Sequence, residues 1–345
     1  MMLVCIWSAC AQGTATATVP AAAEKAMHEG QVFEERKMLT SAVDSYRAAL
    51  KAAGGRCDAC LNALAHVQRK MELYKDAAAT EGELAAHAPD ARSRAEAERR
   101  AGDAWFQQSM AETDGRGAIE KNPKHAEASL RRAEAVLKQA ATDDPTDEAA
   151  RMQYARVLAA LKRDDDARTE FAACAAIPGT SPEECERARR FAQDVSRARG
   201  EPVPAFTAKT MDGKEISLDA LAGKVVLVDF WATWCGPCRA DSDYVQSLLG
   251  DFPKDKFVLL EVNVDTSAET WQNYVKRERL DGVQLHDETH ALQDLFHVTA
   301  YPTYVIFDGD GVVQSRDVGR KGDLRGTVRR LLAAPTALAA TSQAR

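Results

Sequence analysis

The segment Phe230-Trp-Ala-Thr-Trp-Cys-Gly-Pro-Cys238 limits this chain more than any other stretch of it. The apolar, β-branched run Val225–Val228 precedes it and reads as a buried parallel strand. Tyr244, Val245, Leu248 and Leu249 follow at helical spacing and share one face. The two cysteines therefore stand where a strand ends and a helix begins. Unpaired backbone N–H groups and the helix dipole favour negative charge there, so a thiol ionises more readily. The thiolate is the form that attacks a disulfide. Cys235, at the helix start, is the expected exposed nucleophile. Cys238 lies one turn further in on the same face, placed to attack a mixed disulfide and release the reduced partner.

The surrounding pattern predicts a separate α/β domain over residues 201–334. Glu201-Pro-Val-Pro204 reads as a linker stiffened by its prolines. Phe206 to Leu218 reads as a hairpin turning at Asp212-Gly213. Strands are expected at Val225–Phe230, Phe257–Val264 and Val283–His286, and helices at Thr270–Leu280 and Ala291–Phe296. A second hairpin, Thr303–Phe307 with Gly311–Ser315, precedes a last helix over Gly322–Leu332. Residues 335–345 read as a flexible tail. This order suits a central sheet flanked by helices.

Phe206-Thr-Ala-Lys-Thr-Met-Asp-Gly-Lys-Glu-Ile-Ser-Leu218, Leu221-Ala-Gly-Lys-Val-Val-Leu-Val-Asp-Phe-Trp231, the CGPC motif, Tyr301-Pro-Thr303 and Phe307-Asp-Gly-Asp-Gly311 together resemble the TlpA-like disulfide reductases of the thioredoxin superfamily. The resemblance covers about residues 202–332. It implies a thioredoxin-like fold with a central mixed sheet, and thiol–disulfide oxidoreductase chemistry with no cofactor beyond a redox-active Cys235–Cys238 disulfide. It also implies a periplasmic or otherwise extracytoplasmic setting, protein disulfides as substrates and a membrane thiol electron donor. Family members reduce a haem-binding Cys-x-x-Cys-His pair during cytochrome c assembly, which makes that pair one candidate substrate. Gly236-Pro237 is the dipeptide of reducing thioredoxins, whose potentials lie at about −270 mV, against about −120 mV for a strong oxidant. Rival readings are a thiol oxidase or isomerase, a thiol peroxidase, and a repeat scaffold with an auxiliary thioredoxin domain.

Further site residues follow. Asp229 sits on the buried strand, where desolvation raises a carboxyl pKa and makes it a candidate proton acceptor for Cys238; thioredoxins carry an acid at the matching position. Asp241, one turn beyond Cys238, matches a Glu of many TlpA-like proteins and is expected to tune the cysteines. Pro302 matches the superfamily's cis-proline, which would expose the backbone of Tyr301 to an extended substrate. Trp231, Trp234, Gly236, Pro237 and Tyr301 would border the site. His286, His290 and His297 show no metal-ligand spacing, and no metal is expected.

Residues 21–200 read as an all-α domain rich in Ala and charged residues. Pro89 and Pro123, and likewise Ala133 and Ala167, recur at about 34 residues, the period of tetratricopeptide-type repeats. About four helical pairs are expected, the last being Ala149–Leu161 with Asp164–Ile177, and Asp114-Gly-Arg-Gly117 breaks the period. Such an array offers a concave face for a protein ligand, here unidentified. The charges of Glu96–Arg100 read as a solvated face. Net charge is −7, and neither half of the chain is basic, which argues against nucleic acid.

Residues 1–20 read as a signal-peptide remnant and tether, with Ser8-Ala9-Cys10 resembling the end of a lipobox whose Cys10 carries a lipid anchor. Setting aside Cys5 and Cys10, the cysteines fall into local pairs, as an oxidising compartment favours. Cys174 and Cys185 flank a helix–helix turn and are expected to form a structural disulfide. Cys57-Asp-Ala-Cys60 admits three readings: a structural disulfide, which is the expectation, a second redox centre, or half of a zinc site.

Overall fold

The computed structural model describes residues 20–115 and 119–333. Cys5, Cys10, the tether before Pro20 and the expected tail at 335–345 lie outside them. The described residues fall into two compact units, divided between Val67 and Gln68.

In the first unit, α1 (Ala21–Glu35) and α2 (Leu39–Ala52) pack through a glycine. A Cβ on Gly30 would lie 2.4 Å from the ring of Tyr46, which is fully buried there. Tyr46 anchors its outer end by donating its hydroxyl to Glu34 Oε2 at 3.1 Å. A third helix, α3 (Asp58–Lys70), begins in this unit and ends in the second.

The second unit continues with α4 (Tyr74–His87), α5 (Ala91–Asp114), α6 (Pro123–Asp143), α7 (Glu148–Ala160), α8 (Asp164–Cys174) and α9 (Pro182–Gln193). Helix-turn-helix repetition is visible in the backbone itself. Lys37, Glu72 and Lys162 each take a left-handed φ of 57–60° just after a helix. The next residue's N–H then bonds back to the helix: Met38 to Phe33 O at 2.8 Å, Leu73 to Gln68 O and Arg163 to Leu158 O at 2.9 Å. That is the six-residue helix stop in which a left-handed residue lets the chain reverse, here without glycine. The α5–α6 pair departs from it, and α5 ends at Gly115 (φ +76°), within the Asp114–Gly117 break.

The charges of Glu96–Arg100 correct one expectation. Arg100 does not simply face solvent, because its Nε donates to Glu81 Oε2 at 2.8 Å. Glu81 is fully buried and is also gripped by Arg69. A buried carboxylate needs such partners to offset its desolvation.

After a short 3-10 turn (Val195–Arg199) comes the α/β part. The hairpin β1 (Thr207–Lys209) and β2 (Glu215–Ser217) forms a two-stranded sheet of its own beside a five-stranded one, and Met211 N–H in its turn donates to Gln284 O at 2.9 Å. The five-stranded sheet contains β3 (Val225–Trp231), β4 (Phe257–Asn263), β5 (Val283–His286), β6 (Thr303–Phe307) and β7 (Val313–Val318), in the order β5-β4-β3-β6-β7. β3 pairs parallel with β4 and antiparallel with β6, so the sheet is mixed. Alternation along central β3 sorts its two faces. Val225 and Leu227 join Val245 and Leu248 of α10 (Gly236–Asp251) and Leu324 and Val328 of α13 (Leu324–Ala333). Val226, Val228 and Phe230 face the opposite core, with Leu292 of α12 (Ala291–Leu295) and Phe296. α11 (Ala268–Glu278) presents Trp271 and Val275 to the end of β3.

The linker is bonded into the sheet hairpin. Val203 N–H donates to Gly311 O at 2.9 Å, and Val313 N–H to Glu201 O at 2.8 Å. Beside it, buried Asp310 accepts from Arg190 Nε at 2.5 Å and from Arg197 Nε at 2.7 Å.

Candidate active site

The cysteine motif sits where β3 gives way to α10. Cys235 is the N-cap of α10, with Gly236 and Pro237 in its first turn. Proline suits that place, since its missing N–H would have had no helical partner. The Cys235 carbonyl accepts from Arg239 N–H at 3.2 Å, and its Sγ accepts from Cys238 N–H at 3.2 Å. The sulfur is thus held by the helix's own unpaired donor and lies at the positive end of the dipole. Cys235 and Cys238 are joined by a disulfide with Cα atoms 5.3 Å apart. Cys235 differs from its expected exposure: in this oxidised form it retains 5%. The exposed surface belongs instead to its neighbours Trp234, at 65%, and Gly236 and Pro237. The 16 residues of α10 run unbroken through Ser242 and Asp243.

Around the sulfurs the structure gathers Trp231, Val264, Trp271 and Tyr301. The Tyr301–Pro302 bond is cis. The Tyr301 ring meets Trp234 edge-on at 5.8 Å, and its hydroxyl donates to Gln293. Burial, with Asp287 and Asp294 nearby, pushes the Tyr301 hydroxyl up to about 12, so it stays protonated. The loop into the motif is fixed from below, because Thr233 N–H donates to both carboxylate oxygens of buried Asp265, at 3.2 and 3.3 Å. Asp265 is itself held by Asn263 Nδ2 at 3.2 Å.

A row of polar side chains lies under α10. Asp229 on β3 stands in register with Glu261 on β4 and Tyr304 on β6, so all three share the face that α10 covers. Asp229 is buried, and its Oδ1 has no hydrogen-bond partner. Burial first, then the charges of Glu261 and Asp241, hold its carboxyl well above the usual carboxylate range. Glu261 accepts from Gln246 Nε2 at 2.9 Å and from Gln284 Nε2 at 2.5 Å. Gly282 leaves it room, for a Cβ there would fall 2.2 Å from Glu261 Oε2. Burial pushes Glu261 up to about 7, opposed by those two hydrogen bonds.

Asp241, one turn beyond Cys238, is engaged by two other side chains. Its short side chain is taken by Arg320 Nε at 3.1 Å and by the Tyr304 hydroxyl at 3.3 Å. Its electrostatic effect falls on Asp229 and Tyr304. The sequence alone does not single out Glu261 and Asp265. Glu261 carries the signal that marks Asp229, a lone acid inside an apolar strand. Asp265 follows the strand and has the look of an ordinary loop residue.

The other expected pairs divide. Cys57 and Cys60 are bonded, with Cα atoms 5.2 Å apart. Cys174 and Cys185 are not bonded, which corrects the expected Cys174–Cys185 disulfide. Each thiol has a partner of its own: Cys174 Sγ donates to Glu148 O at 3.5 Å, and Cys185 Sγ to Thr180 O at 3.8 Å. Burial pushes the Cys174 thiol up to about 12, which suits an inert core residue. The histidines have packing roles: His286 stacks on Trp271 at 5.0 Å, His290 Nδ1 meets Gln293 Oε1 at 2.9 Å, and His297 meets the Tyr74 ring edge-on.

The AhpC/TSA family model matches residues 199–316, and a tetratricopeptide repeat model matches residues 124–177. The thioredoxin-like protein YneN of Bacillus subtilis (strain 168) is 36% identical over 131 residues, spanning 37% of this chain and 75% of YneN. The thiol-disulfide oxidoreductase ResA of Bacillus cereus is 27% identical over 143 residues, spanning 41% of this chain and 83% of ResA. Among solved structures, a thiol:disulfide interchange protein of the thioredoxin family from Chlorobium tepidum TLS is 26% identical, with a TM-score of 0.36, over 39% of this chain and 98% of that one. By its identity to YneN over three quarters of that relative's length, the chain belongs to the thioredoxin-like thiol-disulfide oxidoreductases, its thioredoxin-like domain following a tetratricopeptide-like helical region.

Proposed function

We infer that this oxidoreductase works as a reductase of disulfides in exported proteins, through Cys235 and Cys238. Cys235 thiolate attacks a substrate disulfide and expels one substrate sulfur. The Cys238 thiol then gives up its proton and attacks Cys235 Sγ, which restores the Cys235–Cys238 bond and releases the second substrate sulfur. The pair is its own redox group and needs no further cofactor.

The observation that carries the reading is Asp229, a buried carboxyl with an unpartnered oxygen in the row beneath α10. A carboxyl held above its usual range is a better proton acceptor near neutral pH, when Cys238 must become a thiolate. Trp234, Gly236 and Pro237 supply the exposed face for substrate. Beside them, the backbone at Tyr301 and cis Pro302 would pair with an extended chain.

The setting follows from the same reading. The resemblance to TlpA-like reductases and the Cys57–Cys60 disulfide support an extracytoplasmic site, with Cys10 as the lipid anchor and a membrane thiol protein as electron donor. Among the described residues no helix is long and apolar enough to cross a membrane. A haem-binding Cys-x-x-Cys-His pair is the substrate to try first, and the helical repeats would hold a protein partner.

The test is the reduction potential of Cys235–Cys238 in the full chain, equilibrated with glutathione or dithiothreitol. A value near about −270 mV is expected, and one above about −150 mV overturns the reductase reading in favour of an oxidase or isomerase.

A further inference from the structure

The first unit contains a second disulfide built on the same plan as Cys235–Cys238. Cys57 immediately precedes α3, and its carbonyl accepts from Leu61 N–H at 3.0 Å, as the Cys235 carbonyl does from Arg239. Cys57 Sγ accepts from Cys60 N–H at 3.1 Å, against 3.2 Å for the pair Cys235 and Cys238. The Cα atoms are 5.2 Å apart in one bridge and 5.3 Å in the other. In each, the first cysteine caps a helix and the second lies one turn inside it.

Access is also alike. Cys57 keeps 9% exposure, more than the 5% of Cys235, while Cys60 is fully buried. Gly54, Gly55 and Arg56 before it, and Asp58 and Ala59 between the cysteines, lie at the surface. Gly54 and Gly55 take left-handed φ values of +70° and +81°, and a Cβ on either would meet nothing within 4 Å. Open space therefore borders these two glycines, two and three residues before Cys57. Inside, Cys60 rests on Ala26, Met27, Ala49, Leu50 and Ala53.

We propose that Cys57–Cys60 is a second thiol–disulfide exchange centre, which accepts two electrons from an external dithiol at Cys57. A donor thiolate attacks Cys57 Sγ, and the Cys57–Cys60 bond breaks. The electron pair leaves on Cys60, which takes a proton from water. The donor's second thiolate attacks its own sulfur in the mixed disulfide, so Cys57 departs as a thiolate and the donor leaves as a disulfide. The disulfide is reduced to a dithiol while the donor dithiol is oxidised, and nothing else is consumed. The free helix-end N–H groups stabilise the Cys57 thiolate and make it the better leaving group.

The experiment uses the full chain and its Cys235→Ser/Cys238→Ser variant. Both are equilibrated across graded reduced-to-oxidised glutathione ratios, quenched in acid and alkylated, and the two cysteine peptides are read by mass spectrometry. Cys57–Cys60 is expected to reach half-reduction within about a hundredfold of the glutathione ratio that half-reduces Cys235–Cys238, in both proteins. In a Cys60→Ser variant, Cys57 is expected to form the glutathione mixed disulfide at least about tenfold faster than Cys60 does in Cys57→Ser. A Cys57–Cys60 bond that stays closed where Cys235–Cys238 is fully reduced overturns the proposal and makes the bridge structural. Equal trapping at the two sulfurs overturns it too. The Cys235–Cys238 peptide of the full chain reports separately on the reductase reading.

Discussion

The two Cys-x-x-Cys bridges differ in what surrounds them and hardly at all in how they are made. Both close at a helix N-terminus, with the outer sulfur accepting an N–H from the inner cysteine. Cys235–Cys238 has in addition the Asp229, Glu261 and Tyr304 row beneath its helix, and the aromatic edge of Trp234 and Tyr301 beside cis Pro302. Around Cys57–Cys60 the packing is alanine, leucine and methionine. A helix end is what the two outer sulfurs share. A buried carboxyl and an aromatic edge beside a cis-proline are separate features, and of these two bridges Cys235–Cys238 is the one that has both around it.

The acids that set the Cys235–Cys238 site apart should leave the largest mark on stability. Glu261 is pushed up from 4.5 to about 7, so the folded protein holds a proton that the unfolded chain has lost between those values. Stability must then fall as pH rises from about 4.5 through about 7. Glu261→Gln removes the titration and keeps a carbonyl oxygen that can accept from one of the two amides now bonded to Glu261. Urea unfolding at pH 5 and pH 8 should show that slope reduced by about 3 kcal/mol in the variant. A slope equal to the parent's would mean that Glu261 is solvated or charged throughout.

Asp229→Asn asks whether the acid serves the chemistry as well as the fold. Removal of a general base costs about a hundredfold or more in rate. Reduction of a protein disulfide, with the Cys235–Cys238 pair kept reduced by dithiothreitol, should slow by about that factor near neutral pH. The parent's rate should climb as pH rises through the raised Asp229 pKa, and the variant should lose that limb. Folding should move the other way, because an ionised buried carboxylate is gone: the variant should be more stable than the parent above that pKa. An unchanged rate with increased stability would leave Asp229 a structural acid.

Much of this is legible in the chain, and the limits follow from range. Val225–Val228, the CGPC motif and the helix after it are local patterns, and each carries its own signal. Asp229 stands out because a lone acid in an apolar strand is costly anywhere, and the same rule applies to Glu261. What a sequence does not display is the meeting of distant residues. Asp310 in the β6–β7 turn is gripped by Arg190 and Arg197, more than a hundred positions earlier. Asp265 holds the motif's loop from 32 residues away. Cys174 and Cys185 defeat the expectation of a bridge because closeness along a turn says nothing of where the sulfurs point, and each finds a carbonyl instead.

The smallest effect tests the two bridges most evenly. Each joins cysteines at a sequence separation of 3, so each restricts the unfolded chain alike. Chain entropy for so short a loop amounts to about 2 kcal/mol. Replacing both cysteines of one bridge by alanine, and then those of the other, should therefore cost at most about 2 kcal/mol in each case, read by urea unfolding under oxidising conditions. A difference between the two losses measures surroundings rather than loop closure. An easily reduced bond is one whose closure adds little to the fold, so an exchange-active Cys57–Cys60 requires a loss comparable to that of Cys235–Cys238. A loss several-fold larger at Cys57–Cys60 would mean that the apolar bed of α1 and α2 depends on the closed bridge, and the likeness between the two helix ends would then be one of shape alone.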